Sequence, residues 1–213
     1  MALRWTILGL ALALGACGPL NSDAPMAVAR DSFLQARQAA AAPPPDITRA
    51  TFEASPVPLI LVAPVQSEEV FLMEWVGRNG ATETYRDAAG RSLSLRDGVL
   101  VASRGFGDDL MGADTPGLRG ALARGTGQFG RAQSWLGPLD EIRTERFSCE
   151  MLTLESTTIA LFGQQIATRQ LGEVCLRGEA GFANNYWVAT GGDVVQSRQW
   201  LSPAIGYVDI QAP

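Results

Sequence analysis

The chain has no histidine, no lysine and only three cysteines among its 213 residues. Without histidine there can be no Ser-His-Asp triad, no Cys-His pair and no histidine-bearing zinc site. Any catalysis would fall to carboxylates, tyrosine, arginine or a thiol. All seventeen basic residues are arginine, which follows from base composition as readily as from a need for planar forks that grip carboxylates or sugars. A net charge of −5 leaves no basic face for nucleic acid. No period of 20 to 50 residues recurs, so propellers and solenoids are not expected. Nothing in the pattern calls for a cofactor or a metal.

What is present at the amino terminus reads as an export signal. Arg4 supplies a short positive region, and Trp5 to Leu14 an apolar run too short to span a bilayer as a mature helix. Leu14-Gly15-Ala16-Cys17 then gives the aliphatic-small-small-cysteine pattern of a lipobox, whose small residues let a peptidase admit an extended backbone. The expected division is a lipoprotein signal peptide over 1–16, a lipidated N-terminus, helix and proline-rich tether over 17–45, and a single β-rich domain over 46–213. Cys17 would carry lipid on its sulfur and amine, and several acyl chains anchor stably where one does not. Gly18, in place of an aspartate after the cysteine, favours the outer membrane. With Cys17 acylated, Cys149 and Cys175 remain as an even pair in an oxidising compartment, so a disulfide is expected.

Asn21 to Ala42 is rich in alanine, with Asp23 placed to cap a helix and Pro25 in its first turn. Ala29, Phe33, Ala36 and Ala40 fall at helical spacing around one aromatic. Pro43-Pro44-Pro45 ends it, which makes it a lightly docked helix or spacer. Asp46 is placed to cap a second short helix through Ala54, and Leu59 to Ala63, apolar on both faces, suits a central strand.

From there the pattern is a meander. Phe71, Met73 and Trp75 alternate with Leu72 and Glu74, and Asn79-Gly80 turns the chain into Ala81–Arg86, setting Trp75 opposite Thr84 and Glu74 opposite Tyr85. Asp87 to Gly90 turns it again. Leu93 and Leu95 alternate with serines, and Asp97-Gly98 suits a type I′ turn, placing Arg96 opposite Val99, Leu95 opposite Leu100 and Leu93 opposite Ala102. Between Gly105 and Gly137 regular alternation vanishes, apart from a brief helix at Leu118–Arg124. Strands resume at Glu141, first through Leu154, then at Ile159–Phe162, Gln164–Arg177, Phe182–Thr190, Val194–Leu201 and Ile205–Ile210. The expected fold is mostly β: a single curved antiparallel meander sheet or partly open barrel, with short N-terminal helices and a long Gly-rich loop.

Two constellations could carry chemistry. Asp108-Asp109 follows a glycine and precedes Leu110-Met111. Such a pair either caps a helical turn, contacts sugar or a partner, or does acid-base work if its pKa values are split. The second is Tyr186-Trp187 with Ser197-Arg198-Gln199-Trp200 and Tyr207. Aromatic faces beside planar donors suit carbohydrate, and the same residues make an ordinary β core with arginine packed on indole. The candidate binding set is Asp108, Asp109, Trp187, Arg198 and Trp200, with no catalytic residue among them.

SLSLRDGVLVASRGFGDDLM, SRQWLSPAIGYVDI and the lipobox-like start together resemble the YjbF/GfcB family of outer-membrane lipoproteins, linked to exopolysaccharide and group 4 capsule export. The resemblance covers essentially the whole mature chain. It implies a non-enzymatic, lipid-anchored and periplasm-facing accessory of polysaccharide assembly or export. Its partners would be outer-membrane export proteins, with polysaccharide as a candidate ligand; no reaction comes with the family. Two other classes are distinguishable by shape. An acyl-chain carrier of the localisation-factor type needs a dry apolar hollow, and a carboxylate-based glycan-cleaving enzyme needs two acids facing across a cleft at roughly 5–9.5 Å.

Overall fold

The computed structural model describes residues 47–136 and 141–213; Cys17, the alanine-rich stretch and Asp46 lie outside them. Helix α1 (Arg49–Ala54) is followed by β1 (Leu59–Pro64), β2 (Phe71–Asn79), β3 (Thr82–Arg86), β4 (Ser92–Arg96), β5 (Val99–Arg104) and β6 (Leu110–Asp114). Helix α2 (Leu118–Arg124) then leads to β7 (Gly127–Leu136), β8 (Ile142–Leu161), β9 (Gln164–Arg177), β10 (Ala180–Ala189), β11 (Val194–Ser202) and β12 (Gly206–Gln211). Thr48 stands at the α1 N-cap, its N–H donating to Thr51 Oγ1 at 3.1 Å.

All twelve strands form one antiparallel sheet in the order β5-β4-β3-β2-β1-β12-β11-β10-β9-β8-β7-β6. Every neighbour in sequence is a neighbour in space, and β1 pairs with β12, so the meander curls until β5 meets β6. The expected partly open barrel is what forms. β1, central and paired on both edges, is buried at every residue. Inward side chains such as Ile60, Met73, Leu93, Leu100, Phe182 and Val208 make one core in the lumen. Each fully buried side chain of this kind contributes about 1.5–3 kcal/mol.

β-bulges explain where the expected registers slip. At Asp97-Gly98, φ is 51° and 78°, as a type I′ turn demands, and Arg96 and Leu95 face Val99 and Leu100. An extra residue at Val101 then sets Leu93 opposite Ser103 instead of Ala102. The β2–β3 turn is Gly80-Ala81, not Asn79-Gly80, since Asn79 itself pairs with Thr82. With a second bulge before Gly77, Trp75 faces Tyr85 and Glu74 faces Arg86. β8 is one strand of 20 residues with a bulge at Leu154, not two.

The largest correction is the Gly-rich stretch. Residues 105–136 hold two strands, β6 and β7, flanking α2. β7 does alternate, with Arg131, Gln133 and Trp135 buried. Two of those three inward residues are polar, so hydrophobic periodicity could not show the strand. Nor do Asp108-Asp109 open a helical turn: Leu110 begins β6.

Cys149 and Cys175 face each other across β8 and β9 and are joined as a disulfide, with Cα atoms 4.1 Å apart. The lower end of the barrel, where β7 meets the β7–β8 connection, is plugged by aromatics. Trp200 stacks on Phe182 (4.9 Å, 9°) and meets Trp135 edge-on (5.3 Å), whose indole N–H donates to the Leu201 carbonyl (3.1 Å). α2 enters the upper end, packing Leu118, Ala121 and Leu122 against Met151, Leu171, Tyr186 and Val188. Arg169 holds its last carbonyls, at 3.1 Å to Leu122 and Ala123, as expected for a cation at a helix C-terminus.

Candidate functional site

Between the aromatic plug and the upper rim, the lumen carries a polar belt. The Arg131 guanidinium donates from NH1 to both Glu173 oxygens (2.9 and 3.0 Å), and both side chains are fully buried. Glu173 also accepts from Tyr186 OH and from Asn184 Nδ2, each at 2.7 Å. Burial opposes the Arg131 charge, and Glu173 outweighs it, raising the pKa of the guanidinium. Burial, then the Glu173 charge, pushes the Tyr186 phenol well above its ordinary value. Gln199 joins the belt to the edge strand: its Oε1 accepts from Leu100 N–H (2.8 Å), and its Nε2 donates to the Gly98 carbonyl (2.9 Å). Leu100 C=O in turn accepts from Arg131 NH2 at 3.3 Å. Such a belt satisfies charges in low dielectric only because the geometry is close to complete.

Above the belt opens a cup of about 1270 Å³. Ile60, Leu95, Val188 and Ile210 give it apolar walls, and Ser197 lies on its inner surface. Its charged lining is balanced: Arg78, Arg119 and Arg169 stand with Glu83, Asp97 and Asp193. Arg78 pairs with Glu83, Arg119 lies 3.8 Å from Asp97, and Arg169 is committed to α2. Burial first, and the Glu83 charge second, push the Tyr85 phenol up to about 12, so it stays a hydrogen-bond donor at neutral pH. The β8–β9 hairpin flanks the opening with Ser156, Ala167 and Thr168, while its tip, Leu161-Phe162, packs on Leu61 and Phe52. A dry hollow for an acyl chain would be apolar; this one is ringed by ions.

The residues singled out by sequence do not gather here. Asp109 accepts from Ser103 Oγ (2.8 Å), Gly105 N–H (2.7 Å) and Phe106 N–H (3.1 Å), capping the β5–β6 loop at the lower end. Asp108 accepts from Ala204 N–H at 3.3 Å, tying that loop to the β11–β12 turn. Trp200 belongs to the aromatic plug. Trp187 and Arg198 are buried on the outer face, where Arg198 makes a bidentate pair with Asp209 (2.6 and 2.7 Å). The loop and the β11–β12 turn meet; the other candidates stand apart.

Arg131, Glu173 and the cup arginines were missed. A usable signal existed in LGEVC, where Glu173 lies two residues from each of Leu171 and Cys175 and so shares their inward face. A charge at an inward strand position is rare without a partner.

The fold has a solved counterpart in the hypothetical lipoprotein YmcC from Escherichia coli (K12), which is 17% identical with a TM-score of 0.68, over 87% of this chain and 93% of that one. No functionally curated protein matches the chain significantly. The family model described as group 4 capsule polysaccharide lipoprotein gfcB, YjbF matches residues 27–212. That match takes in every strand and both described helices, and the chain therefore belongs to the YjbF family of group 4 capsule polysaccharide lipoproteins.

Proposed function

We propose that this lipoprotein is a non-enzymatic accessory of exopolysaccharide or capsule assembly, anchored in the outer membrane by lipid on Cys17 and facing the periplasm. Polymer occupies the cup while export proteins of the outer membrane dock around its rim. The observation that carries this reading is the blind cup itself. One end of the barrel is closed by Trp135, Phe182 and Trp200, and the other opens into about 1270 Å³ with balanced charge. Paired ions and a neutral tyrosine offer donors and acceptors without a net field, which suits hydroxyl-rich ligands better than lipid.

Complementation tests it in a host lacking its own copy. Cys17→Ser removes the anchor; Arg119→Glu and Ala189→Trp alter the cup, Arg119 on a side chain that is 80% exposed. Each is scored for folded protein in the outer-membrane fraction and for secreted polysaccharide. The expected result is wild-type abundance with reduced polymer for the two cup variants, and loss of both readouts for Cys17→Ser. Normal polymer from both cup variants would remove the cup from the function.

A further inference from the structure

One part of the surface is explained by neither the barrel nor the cup. Outward side chains of a single sheet face water, as Ser148, Glu150 and Leu152 do on β8. Yet two cross-strand rows on the outer face of β9, β10, β11, β12 and β1 are dry. One row runs Gln170, Trp187, Gln196, Gln211, Leu61, with exposures of 4, 7, 8, 6 and 3%. The other runs Asn185, Arg198, Asp209, Ala63, at 2, 6, 6 and 8%. Cross-strand partners share a face, so this is a continuous patch.

Among the described residues, the only apolar cluster that reaches it lies at Leu61, under Phe52 and the hairpin tip. Trp187 belongs to none of the three described clusters despite being 7% exposed. The cover therefore comes from elsewhere in the chain. Residues 137–140 sit between β7 and β8, several strands away in the sheet order. What remains is the segment before Ile47, and the family match begins within it, at residue 27. The stripe Ala29, Phe33, Ala36, Ala40 spans about 17 Å as a helix, and five adjacent strands span about 19 Å. Alanines allow close approach over Arg198–Asp209, and Phe33 supplies the one large apolar group to meet Trp187.

We propose that the segment from residue 27 to residue 46 is an integral layer of the fold, docked across the outer face of β9 to β12 and β1 through Phe33. It is a clasp and not a spacer. The free tether is then the ten residues from Cys17 to Met26, at most about 35 Å when extended, which holds the barrel close to the bilayer. This inference stands whether or not the cup takes polymer.

The test uses the mature lipidated chain in detergent, with a photoreactive benzoylphenylalanine in place of Phe33. Illumination should give crosslinks within one chain to peptides of β9–β12, Trp187 foremost. Crosslinks to cup-lining peptides, to a second copy or to detergent alone would overturn the proposal, as would none at all. A second measurement guards against local misfolding. Protease cleavage within 27–46 should be at least tenfold faster in Phe33→Asp than in the unmodified chain, equivalent to about 1.4 kcal/mol of docking free energy. The rest of the barrel should stay resistant. Equal cleavage rates would show that nothing is docked.

Discussion

Glu173 holds the polar belt together. It accepts from Arg131, Tyr186 and Asn184 at 2.7–3.0 Å with no exposed surface. Its carboxylate makes the buried Arg131 tolerable, and Arg131 in turn reaches the Leu100 carbonyl on the edge strand. Removing one ion leaves the other uncompensated in low dielectric, which costs more than the pair contributes. Glu173→Gln should destabilise the protein by about 3–5 kcal/mol in urea titration. Arg131→Met combined with Glu173→Leu should cost clearly less than Glu173→Gln alone. Additive losses in that cycle would mean that the two residues act independently, contrary to the geometry.

At the scale of elements, the legible parts were those where backbone chemistry and periodicity agree. Asp97-Gly98 adopts positive φ at both residues, and β1 is buried on both faces because its apolar run has no polar side to turn outward. Bulges at Val101 and before Gly77 were not legible, since one extra residue shifts the register without altering composition. β7 was invisible because the partner that makes Arg131 an inward residue lies 42 positions away on β9. The candidate site fared worst. Trp187 and Arg198 read as groove residues, but sequence cannot show which face of β10 and β11 another segment covers. The pairing of Cys149 with Cys175 was readable from parity and compartment, and its placement on a β8–β9 rung makes it a staple across the longest hairpin. Cys149→Ser should lower stability by roughly 2–4 kcal/mol in the chain-entropy account. Peptide mapping without reductant should show the bridge in the parent protein, and free thiols there would refute it.

The whole molecule is a ring of strands closed everywhere by ladders except between β5 and β6, where side chains do the closing. Ser103 Oγ donates to Asp109 (2.8 Å) and accepts from Leu110 N–H (2.9 Å), while Arg104 donates to the carbonyls of Leu110 (3.1 Å) and Met111 (3.3 Å). Asp109 anchors this seam through three accepted bonds, whereas Asp108 makes one long contact to Ala204. An unladdered edge is where a sheet opens or recruits another strand, so the seam sets how readily the barrel unrolls. The two adjacent aspartates should then behave differently. Asp109→Ala strips a partner from two backbone N–H groups and a hydroxyl, and should cost about 1–3 kcal/mol. It should also speed hydrogen exchange in β5 and β6 while leaving β9 and β10 protected. Asp108→Ala, at the surface, should stay within about 0.5 kcal/mol. If the two variants exchange alike, or if Asp109→Ala loosens the whole sheet evenly, the seam is not the weak line and closure resides in the polar belt alone.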